Sequence, residues 1–99
     1  MVRIVIALAA LKGFLNRSQA DAGEPVMAWY RQVKAADWAP ADVKRDVRSA
    51  SILKDGRVVF NIAGNKYRIV AWINYSYRVV YIRFIGTHRQ YDRIDAQTI

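Results

Sequence analysis

The chain has no cysteine, only two prolines and a single histidine among its 99 residues. The lack of cysteine excludes disulfides and thiolate chemistry, and it argues against zinc fingers and metal clusters. Small secreted domains usually depend on disulfides, so we expect a cytoplasmic protein. The longest apolar run, residues 4–11, has 8 residues, far fewer than the ~20 that a membrane-spanning helix needs. A signal peptide is the alternative interpretation of this run, but its cleavage site would fall inside the apolar residues.

Acidic side chains are also scarce, with 8 Asp and Glu against 16 Lys and Arg, which gives a net charge of +8. Such a basic chain attracts polyanions, and nucleic acid is the leading candidate. An acidic protein, an anionic membrane surface and a functionally silent basic surface are the alternatives. Hydrophobic residues make up 54% of the chain, so we expect residues 1–99 to form one folded domain rather than a disordered tail.

Spacing of apolar residues predicts helices in the first half of the chain. Residues 2–6 favour a short strand, and residues 7–17 favour a helix after it. Glu24 and Pro25 suit the first turn of a second helix, whose apolar stripe is Val26, Trp29, Tyr30 and Val33. Residues 37–40 end that helix, and a short basic helix follows over residues 40–47.

Residues 58–92 contain three β-branched and aromatic runs, which predict three strands of an antiparallel sheet. Asp55–Gly56 has the composition of a hairpin turn, with a short strand before it. Gly64–Asn65 predicts a two-residue turn that pairs Asn61 with Arg68. The second turn lies within residues 74–78. A two-residue turn at Tyr75–Ser76 pairs Arg68 with Arg83, whereas a four-residue loop shifts the register by two and keeps the same faces.

Alternation of side chains along these strands predicts two different faces. The first is apolar and should pack on the helices: Val58, Phe60, Ile62, Tyr67, Ile69, Ala71, Ile73, Val80, Ile82 and Phe84. The second mixes aromatic, cationic and amide side chains: Val59, Asn61, Lys66, Arg68, Val70, Trp72, Val79, Tyr81 and Arg83. With helices on one side only, we expect the second face to be open for binding.

On the second face, Asn61, Arg68 and Arg83 are expected to form a row across three adjacent strands. Neighbouring arginines repel each other unless an anion lies between them, and guanidinium groups match phosphate oxygens geometrically. The alternative is that these side chains are solvated or pair with the acids of a protein partner. We expect phosphate binding, because cations among apolar mid-strand neighbours are unusual.

The only histidine follows the last strand. Thr87 can cap a short helical turn in which His88, Tyr91 and Asp92 lie on one side, at i, i+3 and i+4. An imidazole, a phenol and a carboxylate near two arginines form a candidate acid–base set that needs no metal. A lone histidine is more often structural, and the arginine row is what favours catalysis here.

Three segments resemble the HigB-type toxins of bacterial toxin–antitoxin pairs, which belong to the RelE-like messenger-RNA interferases. They are RSASILKDGRVVFNIAGNKYRIVAWINY, VVYIRFIGTHRQYDRID and WYRQVKAADWAPADVKRDVRSAS. The GNKYR and GTHRQYD motifs are the most specific. The resemblance implies an α+β, RelE-like fold with an antiparallel sheet and N-terminal helices packed on one face. It also implies cleavage of mRNA at the ribosomal A site and neutralisation by a helix-turn-helix antitoxin.

The expected mechanism is attack of a ribose 2′-OH on the adjacent phosphate, without a metal or another cofactor. The catalytic candidates are Arg68, Arg83, His88, Tyr91 and Asp92, of which the arginines stabilise the charge that develops on the phosphate. The RNA-binding candidates are Asn61, Asn65, Lys66, Arg48 and Arg57. A non-catalytic RNA- or ribosome-binding module and a protein-interaction domain are the competing hypotheses.

Overall fold

A computed structural model describes residues 4–6, 13, 23–36, 38, 40–64 and 66–99. Its strands are β1 (Ile4–Ile6), β2 (Ser51–Ile52), β3 (Arg57–Ile62), β4 (Tyr67–Asn74) and β5 (Val79–Thr87). Its helices are α1 (Gly23–Ala35), α2 (Pro40–Asp46) and α3 (His88–Tyr91), and a 3-10 turn covers Lys54–Gly56. The predicted helix over residues 7–17 lies outside the described residues, apart from the helical Gly13.

The five strands form one sheet in the order β1-β5-β4-β3-β2. Strands β2, β3, β4 and β5 pair antiparallel in that order, as predicted. Strand β1 pairs parallel with β5, so the sheet is mixed at that edge, which the sequence analysis did not specify. The α+β prediction with a largely antiparallel sheet is confirmed.

Helices α1 and α2 pack on one face of the sheet and form the main core. Three members of the predicted stripe, Val26, Trp29 and Val33, line the buried side of α1, and the fourth, Tyr30, is partly buried against the same core. The ring of Phe60 contacts Trp29 edge-on, at a centroid distance of 5.4 Å, and stacks with Trp38 at 6.2 Å. All residues of the predicted apolar face belong to this core except Phe84.

The β3–β4 hairpin has the predicted register. Asn61 lies opposite Arg68, and Ile62 lies opposite Tyr67. The amide of Lys66 donates to the carbonyl of Ala63 at 3.3 Å and closes the turn between the strands. Gly64 has a φ of 61°, a conformation that glycine adopts without the steric cost of a Cβ. Asn65, the other residue of the predicted two-residue turn, lies outside the described residues.

The β4–β5 pairing has the four-residue loop that the sequence left open as the alternative to a two-residue turn, and a bulge then shifts the register further. Residues 75–78 form this loop, which puts Asn74 opposite Val79. The register shifts again at the bulge between Val70 and Ala71. As a result Arg68 lies opposite Gly86. Arg83 is the extra residue, because Ile82 pairs with Ala71 while Phe84 pairs with Val70. A bulge reverses side-chain parity beyond it. The prediction that Arg68 pairs with Arg83 is therefore wrong, and so is the row of Asn61, Arg68 and Arg83.

The bulge also moves Phe84 from the helix-covered face to the opposite face, which corrects its predicted position. There it joins a second apolar cluster with Val59 and Val70. The C-terminal residues of the chain cover this cluster: Tyr91, Ile94, Ala96 and Ile99. The prediction that the second face is open is therefore wrong for its centre. We call residues 94–99 the C-terminal cap.

Candidate nucleic-acid interface

Helix α3 is a single turn that is fixed to the end of β5 by a capping box. The backbone N–H of Gln90 donates to Thr87 Oγ1 at 3.2 Å, and the backbone N–H of Thr87 donates to Gln90 Oε1 at 2.9 Å. These two bonds satisfy N–H groups that a helix start leaves unpaired. The backbone N–H of His88 donates to the carbonyl of Lys66 at 3.0 Å. The turn that carries His88 is thus held against both β5 and the start of β4.

His88 and Asp92 form a pair one helical turn apart. Nδ1 of His88 lies 3.2 Å from Oδ2 of Asp92, and both side chains are exposed. A carboxylate at Nδ1 orients the ring and leaves Nε2 as the nitrogen that can exchange a proton with a substrate. This arrangement confirms the predicted proximity of the two residues, and it is compatible with general acid–base chemistry.

Arg68 lies beside this pair, because it stacks on Tyr91 of the same helical turn. Its Cζ is 4.9 Å from the centroid of the Tyr91 ring. The ring of Tyr91 in turn contacts that of Phe84, at a centroid distance of 6.4 Å. A guanidinium over an aromatic face gains cation–π attraction and is restricted in orientation. The structure therefore brings four predicted residues together: Arg68, His88, Tyr91 and Asp92.

Asn61 extends this group toward β3. Its Nδ2 donates to the carbonyl of Ser49 at 2.9 Å, which sets the orientation of the amide. Its Oδ1 and the Nε of Arg68 on the neighbouring strand are both buried, and neither has a hydrogen-bond partner among the described residues. Buried polar atoms without partners are uncommon and need an explanation, such as a bound molecule. The two unpartnered atoms belong to Asn61 and Arg68, which lie directly opposite each other on β3 and β4 at the predicted site.

The remaining RNA-binding candidates are placed differently. Lys66 is exposed at the start of β4, and its carbonyl accepts from His88. Arg48 is exposed after α2, and its carbonyl accepts from Lys44 Nζ at 2.6 Å. Asn65 lies outside the described residues. Lys66 thus adjoins the His88 turn, while Arg48 adjoins Ser49, whose carbonyl holds Asn61.

Arg57 and Arg83 form a second cationic position, separate from Arg68. Nη1 of Arg57 and Nε of Arg83 both donate to the main-chain oxygen of Ile99, the latter at 3.4 Å. Arg83 precedes Gly86, the partner of Arg68, by three residues, which is about 10 Å along a strand. The two predicted catalytic arginines therefore have different partners, Tyr91 for Arg68 and Ile99 for Arg83.

A cleft of about 550 Å³ lies at the other end of β4, between β2, the 3-10 turn and the β4–β5 loop. Trp72 lines it and donates from Nε1 to the carbonyl of Asp55 at 2.6 Å. Tyr75 also lines the cleft, and burial raises the pKa of its hydroxyl. None of the predicted site residues borders this cleft.

Two kinds of site are absent from the described part of the chain. It contains no cluster of three His, Asp or Glu residues that could hold a metal ion. It also contains no helix with the length and apolar composition needed to cross a membrane.

The predicted cap at Thr87 is confirmed, but two features of this surface were not predicted. The reciprocal bond from Gln90 is the first, although a Thr-x-x-Gln pattern signals it. The C-terminal cap was not expected, because residues 94–99 follow neither helical nor strand periodicity. Its contacts with Arg57 and Arg83 depend on the three-dimensional fold, and no local sequence signal reports them.

Fold and site together define a class: a small basic α+β domain whose exposed histidine–carboxylate pair adjoins a stacked arginine. The chain belongs to the HigB toxin family, described as the RelE-like toxic component of a toxin–antitoxin system, whose model matches residues 22–94.

Among the curated relatives are the mRNA interferase toxin HigB of Escherichia coli (strain K12) and the mRNA interferases HigB of Escherichia coli O157:H7 and Shigella flexneri. Each is 42% identical to the chain over 38 residues, which are 38% of this chain and 36% of the relative. The matched stretch thus spans about a third of the length of these relatives.

Proposed function

We propose that the protein is an endoribonuclease that cleaves mRNA by transesterification at a ribose 2′-OH. The observation that carries this proposal is the His88–Asp92 pair beside the Arg68–Tyr91 stack, on one helical turn and the adjoining strand. Membership of the HigB toxin family and the names of the relatives, mRNA interferases, support it. The net charge of +8 suits a polyanionic substrate.

In this mechanism His88 removes the proton of the 2′-OH, and the oxygen attacks the adjacent phosphorus. The bond from phosphorus to the 5′-oxygen breaks, and that oxygen takes up a proton. The products are a 2′,3′-cyclic phosphate and a 5′-OH. Asp92 orients the imidazole of His88 and stabilises its charged form. Fixed cations stabilise the negative charge that gathers on the phosphate oxygens. We assign this role to Arg68, which contacts the turn through Tyr91.

Tyr91 holds the guanidinium of Arg68 and offers a ring for stacking on a base. Asn61, Asn65 and Lys66 position the RNA backbone next to the cleaved phosphate, and Arg48 contacts it further away. Arg57 and Arg83 contact a neighbouring part of the strand, since they lie away from Arg68. Arg83 then contributes to catalysis through binding rather than at the reacting phosphate.

The partners follow from the family. We propose that a cognate helix-turn-helix antitoxin neutralises the protein, and that cleavage takes place in the cytoplasm on the ribosome, at the A site. The excess of basic residues favours docking on ribosomal RNA, and that contribution should weaken with salt.

The test is inducible expression followed by mapping of 5′-OH ends in mRNA, with and without co-expression of a helix-turn-helix protein encoded by a neighbouring gene. His88→Ala and Arg68→Ala should abolish both growth arrest and new ends at matched protein levels. Full activity in both variants would contradict the assignment. A non-catalytic RNA-binding module would instead show salt-dependent RNA binding and no new 5′-OH ends.

A further inference from the structure

A small pocket lies between α1 and the end of β3, with a cavity volume of about 200 Å³. Trp29 of α1 and Asn61 of β3 both line it. The rest of its wall is largely apolar and includes Phe60 and Ile62. Asn61 lies opposite Arg68 on the neighbouring strand. The pocket therefore begins one strand away from the arginine of the proposed active site.

The wall of this pocket holds two buried polar atoms without a hydrogen-bond partner among the described residues, Nε1 of Trp29 and Oδ1 of Asn61. The orientation of the Asn61 amide follows from Ser49, whose carbonyl accepts from Nδ2 at 2.9 Å. A carbonyl can only accept, so the amide nitrogen must face Ser49 and the oxygen must face away from it. One donor and one acceptor are thus left unpaired, at a cost in free energy that a complementary ligand recovers.

The other tryptophans of the chain, Trp38 and Trp72, do not share this feature. Nε1 of Trp38 donates to Oδ2 of Asp46 at 2.9 Å, and Nε1 of Trp72 donates to the carbonyl of Asp55 at 2.6 Å. Trp29 is as deeply placed as Trp38, with 5% of its surface exposed against 6%. An unpaired indole N–H is therefore a property of the pocket and not of buried tryptophans in this protein.

A ligand for this wall must carry both an acceptor and a donor. A phosphate or a carboxylate offers only acceptors, so Oδ1 of Asn61 disfavours it, and a metal or ammonium cation offers no acceptor to the indole of Trp29. The edge of a nucleobase offers both groups, such as N7 and the N6 amino group of adenine, and proteins read unstacked RNA bases on these edges. Drug-sized ligands occupy roughly 300–1,000 Å³, so the smaller pocket suits one ring system.

We propose that this pocket binds a nucleobase of the RNA, with Trp29 Nε1 donating to the base and Asn61 Oδ1 accepting from it. This proposal rests on the proposed function in taking RNA as the source of the base. Opposed Cα atoms on neighbouring strands are about 5 Å apart, so with Arg68 at the reacting phosphate the base belongs to an adjoining nucleotide. Asn61 then positions the backbone through the base, and the pocket selects the sequence that is cut. Both atoms are covered in the free protein, so the pocket wall adjusts as the base enters.

The test follows the three indole N–H signals of the full chain by proton–nitrogen correlation NMR. The first probe is a single-stranded RNA oligonucleotide with 2′-O-methyl riboses, which binds but cannot be cleaved. The second is the abasic form of this oligonucleotide, which has the same phosphates without the bases. Free nucleosides at the same base concentration are the third probe.

Trp29→Phe assigns the Trp29 signal, keeps an aromatic ring in the core and removes only the N–H edge. Trp38→Phe is the matched control, because Trp38 stacks on the same Phe60 while its N–H already has a partner. Dissociation constants of both variants are measured for the base-bearing and the abasic RNA.

We expect the base-bearing RNA to move the Trp29 signal downfield, because its N–H gains an acceptor, and to leave the Trp38 and Trp72 signals in place. The abasic RNA should leave all three in place. Trp29→Phe should bind the base-bearing RNA about 2- to 12-fold more weakly, which is the scale of one hydrogen bond, and the abasic RNA as the wild type does. The 5′-OH ends that this variant produces in mRNA should be spread over more sequences.

A Trp29 signal that responds equally to base-bearing and abasic RNA, or to neither, would overturn the proposal. That signal is read on the wild type, so a misfolded variant cannot produce this result. Equal losses of affinity in Trp29→Phe and Trp38→Phe would also contradict it. A response to free nucleosides as large as that to RNA would indicate a site for a free nucleotide instead of an RNA base.

Cleavage of an unmodified oligonucleotide is measured in parallel, which separates the pocket from the proposed function. Cleavage without a base-dependent response of Trp29 would contradict only the pocket. A base-dependent response without cleavage would contradict only the proposed nuclease.

Discussion

The guanidinium of Arg68 lies over the ring of Tyr91, with 4.9 Å between Cζ and the ring centroid. Arg68 belongs to β4 and Tyr91 to α3. This contact is therefore the link that fixes the arginine relative to the His88–Asp92 pair. The orientation of the cation depends on an aromatic side chain from another element.

Replacing Tyr91 should weaken RNA binding only when the ring is lost. Tyr91→Phe keeps the ring beneath Arg68, so RNA affinity should stay close to that of the wild type. Tyr91→Leu should weaken affinity about 2- to 30-fold, since cation–π contacts contribute about 0.5–2 kcal/mol. The dissociation constant for an uncleavable single-stranded RNA measures the effect. Tyr77→Leu is the control, because Tyr77 is 68% exposed. Equal losses in Tyr91→Phe and Tyr91→Leu would contradict a role for the ring in holding Arg68.

Asp92→Asn should slow cleavage less than removal of His88. Asp92 acts on the substrate through the imidazole, and the exposed position of the pair weakens their electrostatic interaction. We expect a loss of roughly threefold to tenfold for Asp92→Asn, against about 100-fold or more for His88→Ala, the usual scale of acid–base catalysis. Single-turnover rates on a labelled oligonucleotide compare them, with Glu24→Gln as a control of equal charge change. A larger loss for Asp92→Asn than for His88→Ala would favour Asp92 as the base itself.

The sequence was sufficient to predict the features that depend on local patterns. The stripe of α1, the β3–β4 register and the helical turn with His88 and Asp92 all follow from residue spacing and turn composition. The bulge at Arg83 could not be predicted, because it depends on how two complete strands pair and which side chains then meet the core. The same is true of the C-terminal cap, since contacts between residues 97 and 54 have no local signal. One inserted residue was enough to move Phe84 to the opposite face and to separate Arg83 from Arg68.

Loss of the capping box should lower activity more than stability. Thr87→Val removes the hydroxyl that accepts from the Gln90 backbone, and Gln90→Ala removes the reciprocal bond. A lost cap costs about 0.5–2 kcal/mol, but α3 has only four residues and none of them is buried. The melting temperature should therefore change little while cleavage falls, because His88 is less well positioned. The double variant should lose no more than the worse single variant, since both changes break one motif. Fully additive losses would show that the two residues act separately.

Gly86→Ala should destabilise the protein, because a methyl group opposite Arg68 forces the side chains of Gln90 and Phe84 to move. A Cβ there would lie 2.5 Å from Oε1 of Gln90 and 2.8 Å from Cζ of Phe84. Overpacking of this kind costs about 1–3 kcal/mol, and it should also displace Gln90 from the capping box. Gly23→Ala is the matched control, because its Cβ would meet no atom within 4 Å. Urea denaturation measures both variants, and activity at a temperature where both are folded separates the effect on the site. If Gly86→Ala were as stable and as active as Gly23→Ala, the close packing of Gly86, Phe84 and Gln90 would not be what positions the His88 turn.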